Sequence, residues 1–154
     1  MLQTDLERYA NAPAVLVQIY VDRIVLHYPS STEYLTECAQ FSHPRSLLGD
    51  FSIAETTLTQ LLKRGGGGFK YLAPYMFIQA MERMEFGLTQ VEIRALQELG
   101  LSSGARAIAI YDETGKLLTP NSLPATINLK RLAMMGLIIT LFVLLFFLCA
   151  IFIF

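Results

Sequence analysis

From Leu132 to Phe154 the chain reads LAMMGLIITLFVLLFFLCAIFIF, a run of 23 residues without a charge. At about 1.5 Å of rise per residue this makes roughly 34 Å of helix, enough to cross a hydrocarbon core of about 30 Å. Its most polar side chains are Thr140 and Cys149. The sequence therefore predicts one C-terminal transmembrane helix and leaves the rest of the fold to the residues before it. Its place at the end of the chain reads as a tail anchor inserted after synthesis, not as a signal peptide. Lys130 and Arg131 abut its start. Basic flanks stay on the cytoplasmic side, so these two residues mark the membrane interface and the head is expected in the cytoplasm.

The 53% hydrophobic and 16% charged composition is skewed by this one segment. Lys130 and Arg131 are two of the 12 basic residues, and the other 10 oppose 13 acidic ones, so the head is mildly acidic at net −3. With no basic stripe to neutralise phosphates, nucleic acid is excluded as the main partner. Cys38 belongs to the head and Cys149 to the span, so the two do not form a bridge, which fits a reducing compartment.

Ahead of the span, residues 1–12 are expected to be a flexible terminus. Leu2, Leu6 and Tyr9 share a helical face that could also touch a membrane. Residues 13–119 are expected to form the head and 120–129, with Pro120 and Pro124, a linker to the 130–154 anchor. Ala14 to Tyr28 is rich in Val, Ile, Leu and Tyr around Asp22-Arg23 and predicts a two-stranded hairpin. Residues 30–45 carry no period and read as loop.

The stretch GDFSIAETTLTQLLKR predicts a helix, with Ser52 and Glu55 at capping-box spacing and Ala54, Leu58 and Leu61 facing the core. Gly65 to Gly68 end it. A phosphate loop would need a strand before the glycines and a helix after them, the reverse of the order here. Pro74 opens a strand to Ala80. A second helix is expected with a Thr89–Glu92 capping box and a buried stripe of Leu88, Val91, Ala95 and Leu99, which leaves Ile93 on the opposite, exposed side. Ser103-Gly104 closes it, Ala105 to Tyr111 forms a strand, and Thr114-Gly115 makes a turn. The order β-β-α-β-α-β predicts a small α/β domain of two layers, sheet and helices.

Two blocks resemble the MreB family of bacterial actins. HPRSLLGDFSIAETTLTQLLKR, from His43 to Arg64, is similar to the helix-and-strand block of that family's first subdomain. LTQVEIRALQELGLSSGARAIAIYDE, from Leu88 to Glu113, is similar to its Thr-x-Val-Glu-Arg-Arg-Ala…Gly-Ala-Arg-Glu-Val segment. Thr89, Val91, Glu92, Arg94, Ala95, Gly104, Ala105 and Arg106 match. The likeness covers less than half the chain and implies an actin-like first subdomain. It also implies what is missing. The family's first phosphate loop, Asp-x-Gly-Thr, belongs near Gln18 to Arg23, where there is no glycine to let a phosphate approach. Its second phosphate loop and second domain have no counterpart. The resemblance gives Glu92 the place of a water-orienting glutamate. Without a phosphate to attack, Glu92 is expected to act only as a helix cap.

His27 and His43 lack ligand spacing, and Glu82, Glu85, Asp112 and Glu113 read as a solvated rim. No catalytic, cofactor-binding or metal-binding residue is expected. The resulting expectation is a non-enzymatic, membrane-tethered interaction module, an accessory subunit in the bacterial inner membrane. Its protein partner is expected to be a cytoskeletal filament or an integral membrane complex. Homo-oligomers are compatible with this, and Ile93 is the candidate partner contact. The alternative is a residual nucleotide-binding ATPase completed by a partner or by a second copy.

Overall fold

The computed structural model describes residues 1–29, 31–65, 73–82 and 87–118. The chain divides into two units, Met1–Pro124 and Ala125–Phe154, and every described residue belongs to the first. The expected span, the linker, Lys130, Arg131 and Glu85 lie outside the described residues. Among the described residues no helix is long and apolar enough to cross a membrane.

The elements run α1 (Leu2–Arg8), β1 (Ala14–Tyr20), β2 (Arg23–His27), β3 (Tyr34–Cys38), α2 (Phe51–Arg64), β4 (Tyr75–Ala80), α3 (Gln90–Ser102) and β5 (Ala107–Tyr111). The strands form one mixed sheet in the order β3-β2-β1-β4-β5. β1, β2 and β3 are an antiparallel meander, while β1, β4 and β5 are parallel. The head is thus a small α/β domain.

Two expectations about its elements change. β3 lies inside the stretch expected to be loop. Its five residues alternate exposed and half-buried, and the strand owes its existence to pairing with β2 rather than to an apolar pattern of its own. α2 starts earlier than the Ser52–Glu55 box implies. Asp50 is its N-cap, and the carboxylate accepts a hydrogen bond from the Ile53 N–H at 3.1 Å. Asp50 and Ser52 both carry N-cap side chains, and the Gly49 and Asp50 N–H groups, bonded to the Phe41 carbonyl, leave the helix to start after Asp50. Ala54, Leu58 and Leu61 are fully buried, as their spacing predicts.

The largest revision concerns layers. Val15, Val17, Ile19, Met76, Ile78, Ala80, Ile108 and Ile110 point to one face, where α2 and α3 cover them. Gly100 brings α3 close to the sheet, since a Cβ there would meet Ile108 Cδ1 at 2.6 Å. Gly65, the first of the four glycines, leaves room for the Tyr28 ring at the end of α2. The opposite face carries Leu16, Tyr75, Phe77, Ala109 and Tyr111, and it too is buried, under Leu2, Leu6 and Tyr9 of the N-terminal segment. The expected flexible terminus is therefore a structural layer. Tyr9 packs edge-on against Tyr75 and Phe77 at ring-centroid distances of 4.8 and 5.5 Å. The Tyr111 hydroxyl donates to Asp5 Oδ2 at 2.8 Å, and the Leu2 N–H donates to the Gly115 carbonyl at 3.1 Å.

Burial first, and then the hydrogen bond to Asp5, hold the Tyr111 phenol above its ordinary pKa of 10.0. The folded state therefore binds this proton more tightly than the unfolded chain. Its contribution is complete below pH 10 and is lost as the pH rises beyond that value. Tyr111→Phe should cost about 1.5 kcal/mol at neutral pH, the low end for a hydrogen bond to a charged acceptor, because water can reach half-buried Asp5. In urea melts from pH 7 to 11 the variant should also lose less stability on the alkaline side than the wild type. Equal alkaline loss would mean that Tyr9 and Tyr28, both also raised by burial, carry the whole effect.

Candidate functional site

In open α/β sheets, ligands sit beyond the carboxyl ends of the parallel strands. Here that end gathers the β1–β2 turn, the residues after β4 and the turn after β5. The β1–β2 connection has two residues, Val21 and Asp22, since Tyr20 pairs with Arg23. Asp22 takes φ 54°, the left-handed conformation that Asp tolerates better than most residues. This aims its carboxylate at the loop after β3. Asp22 Oδ1 accepts from the N–H groups of Phe41 at 3.0 Å and Ser42 at 2.7 Å, while its own N–H donates to Ser42 Oγ at 3.0 Å. The Val21 N–H donates to Glu82 Oε2 at 2.6 Å.

The adjoining strand ends are tied in the same way. Gln18 Nε2 donates to Gln79 Oε1 at 3.0 Å, and Gln79 Nε2 reaches the carbonyls of Asp112 and Glu113, both at 3.2 Å. After β5, Asp112 Oδ1 accepts from Thr114 N–H, Thr114 Oγ1–H and Lys116 N–H at 2.9, 2.6 and 2.8 Å. Partial burial would raise the Asp112 pKa, but the bonds from Thr114 and Lys116 outweigh it and hold the carboxyl below its ordinary value.

Glu82 and Asp112 are thus staples rather than the solvated rim their sequence context suggests. The chemistry of this end is acceptor-rich. Among the described residues, the backbone N–H groups of Val21, Phe41, Ser42, Thr114 and Lys116 at this end are bonded to carboxylates, and those carboxylates would repel an anion. His27 stacks on Tyr34 at 4.7 Å, and His43 bridges to Ser46 within its own loop. Among the described residues no group of three or more His, Cys, Asp or Glu could hold a metal ion.

The Thr89–Glu92 box forms as predicted. Thr89 N–H and Oγ1–H donate to Glu92 Oε2 at 2.9 and 2.8 Å, and Glu92 N–H returns to Thr89 Oγ1 at 3.3 Å. The phase of α3 differs from the expected stripe. Ile93, Leu96 and Leu99 are buried, whereas Val91 is 78% exposed. Ile93 is therefore a core residue, and the partner contact assigned to it is withdrawn. The cause is Leu88, which precedes the N-cap and so does not set the helix phase. Leu88 and Ile93 occupy the N′ and N4 positions of a hydrophobic staple, and both join the same apolar cluster.

No protein-family model matches the chain, and no curated protein is similar to it.

Ile93→Asp should cost at least about 2–5 kcal/mol, because it empties a packed site and strands a carboxylate there. Val91→Asp should stay within about 0.5 kcal/mol of wild type. Thermal melts followed by circular dichroism check both. The reverse order of sensitivity would mean that α3 is rotated from the position described.

Proposed function

We propose that the protein is a non-enzymatic interaction module, tethered to a bacterial inner membrane by residues 132–154. Its head resembles an actin-like first subdomain and serves as an accessory subunit of a cytoskeletal or integral membrane complex on the cytoplasmic side. The observation that carries this reading is the stapled β1–β2 turn. The resemblance assigns a phosphate loop to that turn, and a phosphate is held by backbone N–H groups free to turn towards it. At this turn Val21 N–H is bonded to Glu82, and the N–H groups of Phe41 and Ser42 are bonded to Asp22. A nucleotide would have to displace two carboxylates and then sit beside them. Glu92, which the resemblance would give to an attacking water, has its carboxylate engaged by Thr89. The hairpin followed by two helix-linked parallel strands supports the same reading, since the resembling blocks fall in that order.

Calorimetry of the full chain in mild detergent should detect no binding of Mg-ATP, and no phosphate should be released. Glu92→Gln keeps the capping hydrogen bonds and should cost only a few tenths of a kcal/mol. Hydrolysis by the wild type that disappears in this variant would favour the alternative, an ATPase completed by a partner.

The membrane topology has its own test. With the charge-free stretch embedded and Lys130-Arg131 on the cytoplasmic side, protease added outside spheroplasts should leave the head intact. Digestion of the head from that side would reverse the orientation.

A further inference from the structure

The outer face of α3 is left with a pattern that the fold does not use. Val91, Arg94, Glu98 and Leu101 are spaced three, four and three residues apart, which places them along one helical face. All four are exposed, Val91 by 78% and Leu101 by 51%. These two are large apolar side chains in water on a helix whose opposite side is fully packed. Arg94 and Glu98 make neither an ion pair nor a hydrogen bond among the described residues. Open grooves of about 720 and 660 Å³ flank the helix, and Arg94 and Glu98 line both, so α3 stands between them as a ridge.

The pattern is symmetric about Leu96. Arg94 and Glu98 lie two positions to either side of it, and Val91 and Leu101 lie five to either side. When a helix meets a second copy of itself antiparallel across a two-fold axis at that point, each residue faces its mirror position. Arg94 then meets Glu98 of the second copy, twice. Val91 meets Leu101 of the second copy, also twice. Half-buried Ala95 is small enough to let the helices approach. An isologous contact of this kind closes on itself and stops at two.

We infer that the partner of this face is a second copy of the chain, docked through antiparallel α3–α3 pairing. The inference goes beyond the interaction-module reading and does not depend on it, because neither the span nor the phosphate-loop argument enters. Exposed ion pairs contribute little each and weaken with salt, so the dimer is a weak one, dissociating as ionic strength rises.

The test is a charge swap in the full chain, purified in mild detergent, with mass followed by light scattering across protein concentration. The wild type should be dimeric at roughly tens of micromolar protein and low salt. Arg94→Glu and Glu98→Arg each place like charges opposite one another and should shift the dimer to monomer. Both are surface changes, so their melting curves should match the wild type. The double variant Arg94→Glu/Glu98→Arg restores opposite charges across the axis and should recover the dimer. A monomeric wild type would overturn the proposal. So would single variants that remain dimeric, as they would if the C-terminal segment or another surface held the copies together, or a double variant that stays monomeric.

Discussion

A sheet built around parallel strands has to be covered on both faces, because both carry apolar side chains. In this head the parallel strands β1, β4 and β5 follow one another in a single direction across the sheet. Right-handed crossovers then put their helices on the same side. α2 and α3 cover that side and cannot reach the other. Leu16, Phe77, Ala109 and Tyr111 would be left in water if nothing else intervened. The seven-residue α1 solves the problem with Leu2, Leu6 and Tyr9, and the Tyr111–Asp5 hydrogen bond fixes it to the last strand. The rest of the head depends on this cover, since among the described residues α2 and α3 are the one other source of burial for β1, β4 and β5.

The cover does not extend over β2 and β3. There the same face shows Arg23 over the Tyr20 ring at 4.1 Å and His27 stacked on Tyr34, polar and aromatic groups suited to water. β3 is correspondingly an edge strand with alternating exposure, and Arg64 of α2 pairs with its Glu37. A short, charged edge of this kind resists adding further strands. The sheet thus divides into a fully buried parallel half and a half-open antiparallel half, and the division follows from where one short helix ends.

At the carboxyl end of the sheet, three carboxylates take up backbone donors of the turns. Asp22 and Glu82 accept backbone N–H groups from neighbouring segments, and Asp112 accepts those of Thr114 and Lys116 within its own turn. Every such bond satisfies a donor that loop geometry would otherwise leave to water or to a ligand. The result is an anionic rim at this end of the sheet, where the backbone donors of Val21, Phe41, Ser42, Thr114 and Lys116 are already satisfied. The missing glycine near Gln18 to Arg23 was legible in the chain. The replacement was not, because Asp22 meets Phe41 and Ser42, and Glu82 meets Val21, across separations of about 20 and 61 residues.

What the sequence determined by itself was local: the hairpin around Asp22, the core face of α2, the Thr89–Glu92 box, the turn at Gly115 and the α/β class. These depend on residues within a turn or two of each other, so spacing alone encodes them. The tertiary structure decided the remainder. β3 exists because β2 offers it hydrogen bonds, and α1 is ordered because a bare sheet face offers it burial. α3 is phased by the staple between Leu88 and Ile93, not by the stripe read from Val91. That last difference moved Ile93 into the core and Val91 to the surface. A helix with apolar residues on more than one side has several amphipathic readings, and only the surface it packs against selects one.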